Sequence, residues 1–83
     1  MRLPTDSVLK SMIGQYVARV RAVRFCHVAK ILDHDAKRKM SAAVVYAALY
    51  DGKIEKIIIC VQYRADQHGN FYISSHAYQA QNS

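Results

Sequence analysis

Seven of the chain's twelve Lys and Arg residues fall between Arg19 and Lys39, in RVRAVRFCHVAKILDHDAKRK, which also holds Cys26, His27, His34 and Asp35. Three chemistries are open to such a set: a metal site, phosphate chemistry, or a grip on a polyanion. Zinc ligands pair as C-x₂₋₄-C or H-x₃₋₅-H. Here Cys26 and His27 are adjacent, so on a strand they point to opposite faces. On a helix, His27 and His34 share a face about 10 Å apart, too far for one ion. No metal or other cofactor is expected. Ser74, Ser75 and His76 lie together without the turn that presents a nucleophile. The only glycines are Gly14, Gly52 and Gly69, so there is no glycine-rich phosphate loop.

A metal-independent ribonuclease needs a base, an acid and cations for the phosphorane. His76, Tyr78, His68, Arg64 and Lys56 are the residues that can supply them. An enzyme of the small-toxin type is therefore one alternative function, but no motif carries it, and no catalytic residue is assigned.

The charge distribution favours binding. Of the formal +6, residues 1–41 carry nine cations against Asp6, Asp33 and Asp35, whereas residues 42–83 carry Lys53, Lys56 and Arg64 against Asp51, Glu55 and Asp66. All the excess positive charge is in the first half, as suits a polyanionic partner. Arg19, Arg21, Arg24, Lys37, Arg38 and Lys39 are the expected nucleic-acid contacts, acting through phosphates. Tyr46, Tyr50, Tyr63, Phe71 and Tyr72 are candidates for base stacking. The principal expectation is a small, basic, non-enzymatic nucleic-acid-binding protein. The alternative is an adaptor that binds another protein through an apolar sheet face.

Eighty-three residues make one small domain, here placed over residues 1–78, with 79–83 as a disordered tail. Pro4, Thr5 and Asp6 signal a helix start. Leu9, Met12, Ile13, Tyr16, Val20 and Val23 then step at helical spacing. Residues 24–39 fit either a strand, with Phe25, His27, Ala29 and Ile31 alternating, or a second helix.

Asp51-Gly52 and Gly69-Asn70 mark turns between strands over 42–50, 53–64 and 71–78. A helix over 36–50 competes, but Val44, Val45 and Tyr46 in series argue against it. The fold class expected is α+β: an N-terminal helix packed on a small antiparallel meander of three to four strands.

Both faces of the first two of these strands are apolar. Val44, Tyr46, Ala48 and Tyr50 alternate with Ala43, Val45, Ala47 and Leu49, and the next strand repeats the pattern. One helix covers one face. A second copy is expected to cover the other, giving a homodimer or higher oligomer with Val45, Tyr46, Leu49 and Tyr50 at its interface. The alternative is that residues 23–39 fold over as a second layer. The longest apolar run, Ala42 to Tyr50, is short of the roughly 20 residues of a membrane helix. Cys26 and Cys60 read as reduced thiols, so a cytoplasmic protein with no membrane role is expected.

Overall fold

The computed structural model describes residues 2–79, so the tail expected over 79–83 lies, beyond Gln79, outside the described residues. It shows one helix packed against a four-stranded antiparallel sheet of order β1-β2-β3-β4. The elements are α1 (Asp6–Val20), β1 (Phe25–Asp35), β2 (Met40–Ala48), β3 (Ile54–Ala65) and β4 (Phe71–Tyr78). No described helix is long and apolar enough to cross a membrane.

Helix α1 starts where its cap allows. The Val8 N–H donates to Thr5 Oγ1 (3.2 Å), satisfying one of the free donors of the first turn, and Asp6 lies at the positive end of the dipole. The buried stripe is Leu9, Ile13 and Val17. The helix ends at Val20, short of the expected Val23, because Ala22 turns left-handed (φ 50°). The Val23 N–H then donates to Ala18 O (3.3 Å) and the Ala22 N–H to Arg19 O (3.4 Å). This pair of bonds closes the C-terminus and swings Val23 into the core.

Gly14 faces β1. A Cβ added there would meet Val28 Cγ2 at 3.5 Å, an ordinary contact. Gly14→Ala is therefore expected to raise stability by about 0.5–1 kcal/mol, through helix propensity and a less disordered unfolded chain. Urea denaturation checks it. A loss of stability would mean that helix and strand cannot accept even one methyl group.

Residues 25–35 are a strand, which settles the open segment. They join the edge of the sheet and do not fold over as a second layer. Register shifts between Val28 and Lys30, and between Ile31 and Asp33, leave Ala29 and Leu32 as bulges. Simple alternation therefore fails. Cys26, Val28, Ile31 and His34 face the helix, whereas Phe25, His27, Lys30, Asp33 and Asp35 pair with residues on the other side.

The two later hairpins share one design. The Gly52 N–H donates to Leu49 O and the Leu49 N–H to Lys53 O. The Gly69 N–H donates to Asp66 O and the Asp66 N–H to Asn70 O. Only Gly52 (φ 87°) and Gly69 (φ 81°) are left-handed in these loops. Each is thus a three-residue loop closed by glycine, and the two-residue Asp-Gly turn of the sequence reading is corrected. Asp51 and Asp66 fasten the loops by accepting backbone N–H bonds from Lys53 (3.0 Å), and from His68 (2.8 Å) and Asn70 (2.9 Å). The strands start and stop within two residues of their expected limits.

Between α1 and the sheet lies the core: Ile13, Val17, Val23, Val28, Ala43, Val45, Ala47, Ile57, Ile59 and Val61. Period-two alternation aims the odd-numbered residues of β2 and β3 at the helix. The even-numbered ones, Ala42, Val44, Tyr46, Ile58 and Cys60, form the centre of a face that no element covers among the described residues.

Candidate nucleic-acid interface

The six cations expected to act together stand at two ends of the molecule. Arg19, Arg21 and Arg24 lie where α1 ends and β1 begins. Lys37, Arg38 and Lys39 form the turn beyond the far end of β1. Eleven residues of strand separate the two groups, about 30 Å at ~3.3 Å per residue. They do not grip neighbouring phosphates together.

At the helix end Arg21 is committed within the fold. Its guanidinium is ion-paired with Glu55 and lies over the Tyr78 ring, 5.1 Å from the centroid. Arg19 lies 5.7 Å from the Tyr16 ring centroid, and Arg24 is exposed.

At the other end the turn acquires a partner that the sequence reading left among the neutral half. β3 runs past Gln62, which pairs with Met40, and so carries Arg64 alongside the turn. Arg38, Lys39 and Arg64 line one groove of 340 Å³, with Gln62 and Ser74 between them. Arg2 adds a further cation beside Lys39, around the adjoining pocket under Leu3 and Pro4. Acids here are few. Asp66 is used by its own turn, and Asp35 accepts from the Arg38 N–H (3.1 Å) while its other oxygen lies 3.8 Å from the largely exposed Arg38 side chain. That ion pair is weak in water.

The aromatic candidates divide cleanly. Tyr63 is buried, hydrogen-bonded through its hydroxyl to His34 Nε2 (2.6 Å), and meets Phe71 edge-on at 5.7 Å. Burial first, and Asp35 second, push the Tyr63 hydroxyl pKa up. Neither ring is offered to a base. Tyr46 is exposed on the bare sheet face, and Tyr50 projects from the β2–β3 loop at 79% exposure. Tyr72 is exposed and is the direct cross-strand partner of Arg64, placing a ring next to the basic groove.

Val45 is fully buried under the helix and Leu49 is half-buried against the core. Of the four residues expected at an oligomer interface, only Tyr46 and Tyr50 are exposed, and only Tyr46 is on the bare face of the sheet.

Of the five residues named for ribonuclease chemistry, His76 and Tyr78 meet edge-on with ring centroids 4.9 Å apart, and Lys56 lines one cleft with Tyr78, whereas Arg64 and His68 lie elsewhere. His76 and Tyr78 pair with Val61 and Ile59 on the helix side, Lys56 and Arg64 are on the opposite face, and His68 is in the β3–β4 loop. A further partner of His76 comes from α1. Tyr16 Oη lies 2.6 Å from His76 Nδ1, and the two rings meet edge-on at 5.2 Å. Sixty residues separate them, and no sequence signal announces the pair.

Cys26 and Cys60 are free, and burial pushes the Cys26 thiol up while Arg21 pulls it down. Among the described residues no three His, Cys, Asp or Glu side chains come together to hold a metal. Comparison of the chain with known families, characterised proteins and solved structures returns no match.

Proposed function

We propose that this protein binds single-stranded nucleic acid without acting on it, through the groove between the β1–β2 turn and the end of β3. The observation that supports the reading is convergence: Arg38 and Lys39 from one turn and Arg64 from another strand border a single groove, with Tyr72 beside Arg64. Guanidinium and ammonium groups take phosphate oxygens, and a neighbouring exposed ring stacks a base of any identity. Lys37 and Arg2 extend the same positive end. Arg19 and Arg24 act at most as a remote second contact, and Arg21 is a structural cation.

The test is a titration of end-labelled single-stranded RNA read by anisotropy at several salt concentrations. Three phosphate contacts give log K against log salt a slope of about −2 on a single strand. The combined reversal Arg38→Glu, Lys39→Glu and Arg64→Glu should lower affinity about 100-fold or more and flatten that slope. Arg24→Glu should stay within about threefold of wild type. If Arg24→Glu abolishes binding and the triple reversal does not, the interface has been placed at the wrong end.

A second reading is favoured by a separate observation. Among the described residues the sheet face opposite the helix is uncovered, with Tyr46, Val44, Ala42 and Ile58 at its centre, and adaptor or oligomer contacts are built on such faces. The two free thiols fit the reducing cytoplasm for either reading.

A further inference from the structure

We infer that the bare sheet face is where two copies of this chain stack, about a two-fold axis crossing the strands at the Val44–Ile58 row. The inference rests on reading that face as a protein contact, and Gln62 at the end of that face also borders the basic groove.

The register supplies the map. Rows across the open face run Phe25–Ala48–Ile54, His27–Tyr46–Lys56, Lys30–Val44–Ile58, Asp33–Ala42–Cys60 and Asp35–Met40–Gln62. Apolar residues fill the β2 column, and Ile54, Ile58 and Cys60 alternate with Lys56 and end at Gln62 in the β3 column. Phe25, Ile54, Tyr46 and Met40 are each at least 38% exposed. Sheets that stack pack at ~10 Å with strands roughly aligned.

Polarity selects the occupant and its orientation. Down β1 the open face reads His27, then Lys30 on the axis row, then Asp33 and Asp35: an imidazole that can donate a hydrogen bond on one side of the axis, carboxylates that accept on the other. A two-fold axis through the Lys30–Val44–Ile58 row inverts this order. It sets Asp33 of the second copy over His27, and His27 of the second copy over Asp33. The same operation lays Tyr46 over the small Ala42, and Val44 and Ile58 over themselves. It also lays Lys56 over Cys60, and the His27–Asp33 hydrogen bond and the Tyr46–Ala42 fit are self-complementary, as an isologous contact requires. Lys30 meets its own counterpart at the rim, where water screens the repulsion.

Edge pairing is the other route to a dimer, and the edges oppose it. β1 is bulged at Ala29 and Leu32, and a register shift at Gln62/Tyr63 leaves Ser74 as the extra residue of β4. Bulges of this kind turn an edge away from pairing. β4 pairs only with Ile59–Ala65, so the face shared about that axis is three strands wide. Strands ~4.8 Å apart and nine residues long then give a footprint of about 430 Å² on each copy, or about 860 Å² for both, the size of a weak, concentration-dependent contact.

The experiment uses the full chain in sedimentation-velocity runs from 5 to 300 µM, with circular dichroism to confirm folding. Wild type is expected to dimerise. Asp33→Lys removes the carboxylate that accepts from His27 at both symmetric contacts, and His27→Glu sets two acids together there. Each variant alone should dimerise about tenfold more weakly. Mixed in equal amounts, the two should recover wild-type association as a heterodimer, because one contact then keeps the His27–Asp33 pair and the other sets Glu against Lys. Val44→Glu should be a folded monomer.

A wild-type monomer at 300 µM overturns the inference. A dimer that Val44→Glu breaks but the charge variants ignore overturns the two-fold arrangement. RNA affinity measured on the same variants reports separately on the basic groove. An RNA affinity lost with Val44→Glu, in a protein monomeric throughout, would assign the face to nucleic acid instead.

Discussion

Val45→Asp is expected to leave the chain without a cooperative thermal transition and without the far-ultraviolet dichroism of a folded protein. Val45 is 0% exposed. It pairs with Val28 on one neighbouring strand and Ile57 on the other, and its side belongs to the cluster that holds Ile13 and Val17 of α1. No cationic or donor side chain is among those residues, so a carboxylate there is either ionised and unpaired or protonated and short of partners. Either state costs several kcal/mol, and loss of the valine's apolar burial adds about 1.5–2 kcal/mol. A domain of this length has a total stability of roughly 4–12 kcal/mol. The sum exceeds the low end of that range and takes most of the rest.

The comparison that gives the result meaning is Tyr46→Asp, one residue along. Tyr46 points to the bare face, so this variant should fold, with a midpoint within a few degrees of wild type. If both unfold, the second face is also core. If neither does, the alternation that orders β2 is wrong.

That alternation is the part of the fold most legible in the sequence. Period two in Ala43–Leu49 and Ile54–Tyr63 separates the residues under the helix from those on the open side, because a strand has no other way to place successive side chains. Thr5 and the Leu9–Ile13 spacing announce α1, although Val17 completes the buried stripe and Val20 stays largely exposed. What escaped is β1. Its two bulges reset the alternation at Ala29 and Leu32, so the apolar pattern matches neither a clean strand nor a clean helix. Register with β2 decides the matter, and register is a property of the folded sheet.

The candidate site was half legible for the same reason. Lys37, Arg38 and Lys39 are conspicuous as a run. Arg64, which completes their groove, sits in a region whose net charge is zero and becomes a neighbour only when β2 and β3 pair through Met40 and Gln62. Conversely, Arg19, Arg21 and Arg24 look like a second half of the same surface until β1 carries the chain about 30 Å away from them.

Arg21 is where charge counting and structure part most sharply, and it yields the second large effect. As a surface cation its reversal would alter only binding. Paired with Glu55 and laid over Tyr78, with its Nε buried and unpartnered among the described residues, it ties the end of α1 to β3 and β4. Arg21→Glu replaces an attraction with a repulsion in a half-buried site and removes the stacked guanidinium. The expected loss is about 2 kcal/mol, above the 0.2–1 kcal/mol of an exposed pair because the site is partly desolvated. Urea denaturation should show the midpoint falling with the slope unchanged. Adding Glu55→Arg should return about half of the loss, by restoring the charge pair without the stacking on Tyr78. The double-mutant difference thereby isolates the ion pair from the ring contact. RNA affinity of the folded Arg21→Glu protein should remain within about threefold of wild type. A large loss of affinity without loss of stability would return Arg21 to the binding surface and move the interface to the helix end.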